Sequence, residues 1–233
     1  MLKLFLLLFN FLFASEIFIA SASNSIYVLP KIIKEFNKKY PTIKVHTIFA
    51  SSGKLTAQII NGAKYDVFLS ADEKYPNVLY EKRLSSKPKI YAKGKLAIFN
   101  KKDINSSDIK KILLNANSIA IANPKNAPYG KASIEVFKSL GIYKNIKHKL
   151  IYAPNVSGVI AYVINYADIG LVAKSSFYTS KMKKFKFIDI SLNLYTPINQ
   201  AVVLLTNNKD AIKLYNFLFS KKAKEIFRQY GYN

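Results

Sequence analysis

Small polar residues that can donate hydrogen bonds stand between a predicted strand and a predicted helix at residues 51–53. Residues 45–50 alternate between the two faces of a β-strand, and Leu55 and Ile59 fall on one face of the following helix. Ser51, Ser52 and Gly53 form the turn between them. The first N–H groups of a helix have no partner within it, and the helix dipole is positive there. The turn therefore offers amides and hydroxyls to an anion.

A second serine-rich turn, residues 22–25, lies between a predicted strand at 17–21 and a helical pattern at 28–40. For a single turn the common alternative is helix capping, with Ser51 or Ser52 as the capping residue. Two strand–turn–helix units in succession bring the carboxyl ends of neighbouring strands together. Ligands bind at that edge in open α/β sheets, so the pair of turns favours an anion site.

Strands and helices alternate along the rest of the chain, which predicts an α/β fold of mostly parallel sheets flanked by helices. A chain of 233 residues, half of them hydrophobic, is long for one small sheet. We therefore expect two lobes. Two further turns precede predicted helices, at residues 123–130 and 153–158. Prolines interrupt regular structure in both turns.

Residues 4–14 are nearly all apolar and follow a single early lysine, Lys3, which is typical of a secretory signal peptide. We predict a signal peptide at residues 1–15, cleaved after Ala14 or Ser15, and a periplasmic mature protein. The competing interpretation is a buried first strand. The chain has no cysteine, which excludes disulfides, thiolate metal sites and lipid attachment through cysteine.

The formal charge of +23 makes a polyanion partner worth considering. Nearly all of the basic residues are lysines spread along the chain, however, and only Arg83 and Arg228 are arginines. Arginine is preferred for bidentate phosphate and base contacts, so we expect no nucleic-acid partner. A basic surface protein that binds polyanions stays as an alternative of a different class.

The sequence gives little support for an enzyme. His46 and His148 have no metal-ligand spacing to each other or to a carboxylate. The segment 51–55 lacks the first glycine of a P-loop and the Ser or Thr that follows its lysine, and no G-x-S-x-G is present. We expect no catalytic residue, no cofactor and no direct protein ligand to a metal ion.

Several segments in order resemble the periplasmic molybdate-binding proteins of ABC uptake transporters. They are Ala22-Ser23-Asn24, the 51–55 turn, residues 62–72, Pro128-Tyr129-Gly130, Asn155-Val156-Ser157-Gly158 and residues 223–231. The resemblance implies the two-lobed periplasmic-binding-protein fold of type II. It places lobe one at 16–92 plus 197–233 and lobe two at 93–196. It also implies capture of molybdate or tungstate by a monomer that delivers it to a membrane permease, with sulfate or another oxyanion as the alternative ligand.

The same resemblance implies which residues bind the oxyanion. They are Ser23, Asn24 and Ser52 from lobe one, with Tyr129 and Val156 from lobe two, Val156 through its amide. Many members of the family place a ligand tyrosine after the strand that matches 169–172, and this chain has Ala173 there. Asn24 and Tyr129 fit the pattern of members that lack that tyrosine.

Overall fold

The computed structural model describes residues 15–101, 106–179, 182 and 184–233. Within these ranges the strands are β1 Ser15–Ala22, β2 Ile43–Ala50, β3 Val67–Leu69, β4 Lys89–Gly94, β5 Leu96–Asn100, β6 Ile119–Ala122, β7 Leu150–Ala153, β8 Ile169–Ala173, β9 Phe187–Asp189 and β10 Ile198–Leu204. The α-helices are α1 Leu29–Lys39, α2 Ser52–Ile60, α3 Lys74–Glu81, α4 Ile109–Asn115, α5 Pro128–Ser139, α6 Tyr143–Ile146, α7 Val156–Asn165, α8 Lys209–Phe217 and α9 Lys221–Gln229. Four short 3-10 turns, including Ser23–Ser25 and Lys174–Tyr178, join them.

The strands form two five-stranded sheets. The first has the order β2-β1-β3-β10-β4, and the second has the order β7-β6-β8-β5-β9. In the first, β1 is parallel to β2 and β3, and β10 is antiparallel to β3 and β4. In the second, β6 is parallel to β7 and β8, and β5 is antiparallel to β8 and β9. The α/β, two-lobed fold is thus confirmed.

The chain passes between the sheets twice. It first crosses at Lys95, between β4 of the first sheet and β5 of the second. It returns over residues 190–197, between β9 and β10. Residues 93–94 still belong to β4, so the first sheet extends slightly beyond the predicted lobe bound at residue 92. The division into lobes remains a prediction, and the crossings identify the two connecting segments about which the lobes would rotate.

Each sheet has its own apolar core. Helix α1 shows how the sequence specifies this, because Ile32 and Phe36 are fully buried against the first sheet whereas Lys31 and Lys34 are exposed. Parallel strands covered on both faces are nearly continuously apolar, and all four residues of β6 are buried. In both sheets the parallel strands end at turns that begin helices. The fold therefore places several helix N-termini along one edge of each sheet.

The predicted signal peptide lies outside the described residues apart from Ser15, the first residue of β1, which pairs with Ile43. No helix among the described residues combines the length and the apolarity needed to cross a bilayer. The signal peptide and its cleavage site remain predictions.

Candidate functional site

A narrow cavity of about 10 Å³ lies where the strand ends of the two sheets face each other. Its lining comes from both sheets and comprises Ala22, Ser23, Asn24, Ala50, Ser51, Ser52, Ala71, Ala127, Pro128, Tyr129 and Val156. All five residues predicted to bind an anion belong to this set, and each is at most 4% exposed. None of the described residues that line the cavity is a lysine or an arginine.

The hydroxyl groups of the 51–52 turn are not used to cap α2. Ser51 occupies the N-cap position, yet its side chain makes no capping bond. Its Oγ is buried and has no partner among the described residues. The Oγ of Ser52 accepts a 3.0 Å bond from the Ala71 amide, which leaves the Ser52 proton available for donation. The capping hypothesis for these serines is therefore wrong, and two buried hydroxyls border the cavity.

Helix α7 brings the Val156 amide to the cavity from the second sheet. The Asn155 side chain caps the helix, because its Oδ1 accepts 2.9 Å and 2.8 Å bonds from the Gly158 amide and the Ser157 hydroxyl. The Ser157 amide lies 3.5 Å from Ser23 Oγ in the first sheet's turn. Capping thus fixes the helix start, and the amides of its first turn point toward the cavity side.

Tyr129 lies at the start of α5, which begins with Pro128, a residue suited to that position by its fixed φ. The phenol hydroxyl accepts a 3.3 Å bond from Gln200 Nε2. It also lies next to Gly94, and neither Gln200 nor Gly94 lines the cavity. The hydroxyl is thus directed away from the cavity lining, which leaves the main chain of Tyr129 as the group that can face an anion.

The side-chain N–H groups of Asn24, like the Tyr129 hydroxyl, bond to residues that do not line the cavity. Both of its side-chain N–H groups are engaged, through 3.0 Å bonds to Gln200 Oε1 and to the Tyr232 hydroxyl. Its Oδ1 is buried without a partner among the described residues. The side chain therefore holds the 22–25 turn in place. Gln200 had no signal in the sequence, because it is one of two polar residues in an otherwise apolar strand. Ser51 belonged to the predicted anion-binding turn but was not among the residues predicted to bind the anion.

The two lobes touch over the cavity. The Gly53 amide at the start of α2 donates a 2.9 Å bond to the Asn126 carbonyl of the second lobe. Beside it, the Tyr75 hydroxyl donates a 3.3 Å bond to the Lys125 carbonyl. These bonds can form only when the two sheets approach each other. The structure therefore describes a closed arrangement with the cavity inside.

The electrostatics of the cavity come from dipoles. Lys54 is exposed and points away from the lining. Burial raises the pKa of Tyr129 well above its usual value, so the phenol is neutral at ordinary pH. Burial also raises the pKa of Asp72, the carboxyl next to the lining residue Ala71. Amides, hydroxyls and helix N-termini thus provide the positive potential inside.

The described residues offer neither a metal site nor an additional anion ligand at Ala173. Among the described residues no cluster of three or more His, Asp and Glu side chains could hold a metal ion. Ala173 is fully buried at the end of β8 and does not line the cavity.

The fold and this interlobe cavity define a two-lobed solute-binding protein. The family model for bacterial extracellular solute-binding proteins matches residues 17–233, and the chain belongs to that family. It is similar to the molybdate-binding proteins ModA of Azotobacter vinelandii and of Rhodobacter capsulatus, each 34% identical over 94% of this chain and over 90% and 88% of theirs. Among solved structures, the periplasmic molybdate-binding protein of Azotobacter vinelandii has a TM-score of 0.86 at 30% identity, covering 93% of this chain and 98% of its own.

Gly53→Ala tests whether closure is needed for binding. A Cβ at Gly53 would lie 2.9 Å from Asn126 Cβ of the other lobe, so the methyl group would push the lobes apart, and 2.7 Å from the Tyr75 hydroxyl of its own lobe, so it would also displace the end of that side chain. Overpacking of this kind costs about 1–3 kcal/mol. We expect affinity for molybdate, used as the probe, to fall about five- to a hundredfold in calorimetry. The melting temperature without anion should change little, because the clash within the lobe is with the far end of the Tyr75 side chain and alanine is the better helix former.

Gly158→Ala is the matched control, since it also adds a methyl group near a helix start. Its Cβ would meet nothing closer than 3.5 Å, an ordinary contact with Asn155 Oδ1. It should leave the affinity nearly unchanged. Equal affinities for Gly53→Ala and the unmodified protein would show that the Gly53–Asn126 contact is not needed for binding.

Proposed function

We propose that this chain is an exported receptor that binds molybdate, or the similar tungstate, and delivers it to the membrane permease of an ABC importer. The observation that carries the proposal is the buried cavity between the lobes, in which donors from both sheets converge without a basic side chain. The similarity to molybdate-binding proteins over nearly the whole chain supports the choice of anion.

The donors come from opposite sides of the cavity. We assign the hydroxyls of Ser23, Ser51 and Ser52 as donors from lobe one. The main-chain N–H groups at the starts of α5 and α7, at Tyr129 and Val156, serve as donors from lobe two. A dianion enclosed by them is stabilised only if each oxygen finds a donor, because burying a charge without partners is very unfavourable.

This donor set selects among anions by size and protonation. The hydroxyls and amides of a closed cavity fit a tetrahedral anion of one size best, which disfavours the smaller sulfate. Hydrogen phosphate carries a proton that needs an acceptor. Amide N–H groups offer none, and the Ser23 and Ser52 hydroxyls already accept from the Ser157 and Ala71 amides. We therefore infer that selectivity arises from cavity size and from the excess of donors.

Calorimetric titration with molybdate, tungstate, sulfate and phosphate tests the proposal. We expect tight binding of molybdate or tungstate, weaker binding of sulfate and no measurable binding of phosphate. Binding of sulfate in preference to both metal oxyanions would assign another substrate to the same fold. If only heparin or DNA gave a heat of binding in the titration, and that binding was lost at high salt, the protein would instead be a polyanion-binding surface protein.

Single serine variants test the neutral-donor mechanism. Hydrogen bonds to a charged group contribute roughly 1.5–3 kcal/mol, so Ser51→Ala and Ser52→Ala should each lower the affinity for molybdate about ten- to a hundredfold. Lys54→Ala removes an exposed charge that solvent and salt screen, and it should cost about threefold or less. Calorimetry at two salt concentrations measures all three variants.

Ser220→Ala is the control for the loss of a serine hydroxyl. Ser220 caps α9, because its Oγ accepts a 3.2 Å bond from the Ala223 amide. This variant should lose about 1 kcal/mol of unfolding free energy and keep its affinity, the reverse of Ser51→Ala. Abolished binding in Lys54→Ala with intact binding in Ser52→Ala would contradict the neutral-donor mechanism.

Export is the second part of the proposal. The apolar run at the N-terminus should direct secretion, after which a peptidase removes about 14–15 residues. Mass spectrometry of the protein from the periplasm of its native host should find a mature chain that begins at Ser15 or Glu16. A periplasmic protein that still carries Met1 would contradict cleavage.

A further inference from the structure

Gln200 is a fully buried polar side chain that does not line the anion cavity. Its Oε1 accepts a 3.0 Å bond from Asn24 Nδ2 and a 2.7 Å bond from the Tyr91 hydroxyl. Its Nε2 donates a 3.3 Å bond to the Tyr129 hydroxyl. One amide thus contacts two residues that line the cavity.

The bonds of Gln200 join the two lobes. Asn24 follows β1 and Tyr91 lies in β4, both in the first sheet together with β10, the strand of Gln200. Tyr129 belongs to α5 of the other lobe. The bond to Tyr129 joins the two lobes, whereas the bonds to Asn24 and Tyr91 stay within the first lobe.

The backbone around Gln200 is shaped for this contact. The register between β4 and β10 shifts between Gln200 and Ala201. Gly94 pairs with Ile198, two residues before Gln200, and a Cβ added there would overlap the Tyr129 hydroxyl and lie 2.6 Å from Gln200 Nε2. Glycine is therefore required for the close approach. Gly94 directly precedes Lys95, where the chain crosses between the sheets, so the contact lies at the hinge.

Two further hydroxyls complete the network around Asn24. The Tyr232 hydroxyl and the Ser175 hydroxyl each donate a 3.0 Å bond to the Asn24 carbonyl. Ser175 follows β8 in the second sheet, so this carbonyl is also held from both lobes. Burial raises the pKa of Tyr232 to about 12 and that of Tyr129 well above its usual value, so both phenols keep their protons at neutral pH.

We propose that Gln200 is a positioning residue for the anion site, which holds the Asn24 turn and the start of α5 in their binding geometry and stabilises the closed lobes through Tyr129. This inference rests on the proposed function, because it assigns the closed state as the one that binds. When the lobes open, Nε2 and the Tyr129 hydroxyl exchange their mutual bond for water. The Gln200–Tyr129 hydrogen bond therefore stabilises the closed state only while the donor and acceptor keep their positions.

Two tyrosines that share Gln200 as partner provide a matched test. Tyr129→Phe removes the bond between the lobes and leaves Gln200 Nε2 unpaired in the closed state, whereas Tyr91→Phe removes a bond within lobe one. Both rings are nearly fully buried. We expect Tyr129→Phe and Gln200→Met to lower molybdate affinity about tenfold each, and Tyr91→Phe to change it by less than about twofold.

The double variant distinguishes a Tyr129 hydroxyl that acts through Gln200 from one that contacts the anion directly. If Tyr129 acts through Gln200, then Tyr129→Phe combined with Gln200→Met should bind molybdate no more weakly than Gln200→Met alone. Additive losses would show that the Tyr129 hydroxyl reaches the anion itself and would overturn the proposal. An affinity loss in Tyr91→Phe as large as that in Tyr129→Phe would also overturn it, since the network would then be merely structural.

Small-angle scattering without any anion tests the network independently of the ligand. A larger radius of gyration for Tyr129→Phe than for Tyr91→Phe and the unmodified protein supports the proposal, and equal radii overturn it. If the unmodified protein bound none of the four oxyanions, the proposed function would fail, but this comparison would still decide the role of the network. Should Gln200→Met not fold, as judged by circular dichroism, the tyrosine pair still gives the answer.

Discussion

Enclosing an anion without a cation is the constraint on which this architecture depends. A buried charge is tolerated only when fixed donors surround it, and a single turn supplies donors from one side only. Two sheets whose strand ends face each other supply them from opposite sides, with serine hydroxyls from one and the starts of α5 and α7 from the other. The chain must therefore cross between the sheets. After each crossing it enters the new sheet as an antiparallel strand, β5 in the second sheet and β10 in the first.

The same constraint explains where small residues are needed. The lobes must approach until main-chain groups of one contact main-chain groups of the other, as the Gly53 amide contacts the Asn126 carbonyl. A side chain at Gly53 or Gly94 would occupy space already filled by Tyr75, Asn126, Tyr129 or Gln200. Both glycines have ordinary backbone angles, so they serve to allow close contact rather than an unusual conformation. Closure and binding are thus linked through packing at the edge of the cavity and at the hinge.

Much of this could be predicted from local sequence signals. Alternating strands, amphipathic helices and serine-rich turns at strand ends identify the α/β class, and the resemblance to a known family named the lining residues Ser23, Ser52 and Val156.

The directions of side chains could not be predicted. Asn24 and Tyr129 line the cavity, yet their polar ends bond to Gln200, which lies more than 70 positions from either in the sequence. Such contacts depend on the packing of distant strands, for which periodicity carries no information. Capping stayed open for Ser51 because a serine before a helix is usually a cap, and only the fold shows that its hydroxyl makes no capping bond.

The strong positive charge and the neutral cavity have separate physical roles. Exposed lysines create a long-range field that raises the local concentration of any anion, but this field is screened by salt and does not distinguish one anion from another. A lysine inside the cavity would extend the same indiscriminate attraction to the site, since a flexible ammonium group adapts to anions of many shapes. Amides at helix starts cannot adapt, because the helix backbone and its caps, such as Asn155, hold them in place. Discrimination therefore requires that the charge stay outside and that rigid dipoles provide the contacts. A receptor must also release its anion, and closure held by a few neutral hydrogen bonds, such as that between Gln200 and Tyr129, can be reversed more easily than closure around a buried ion pair.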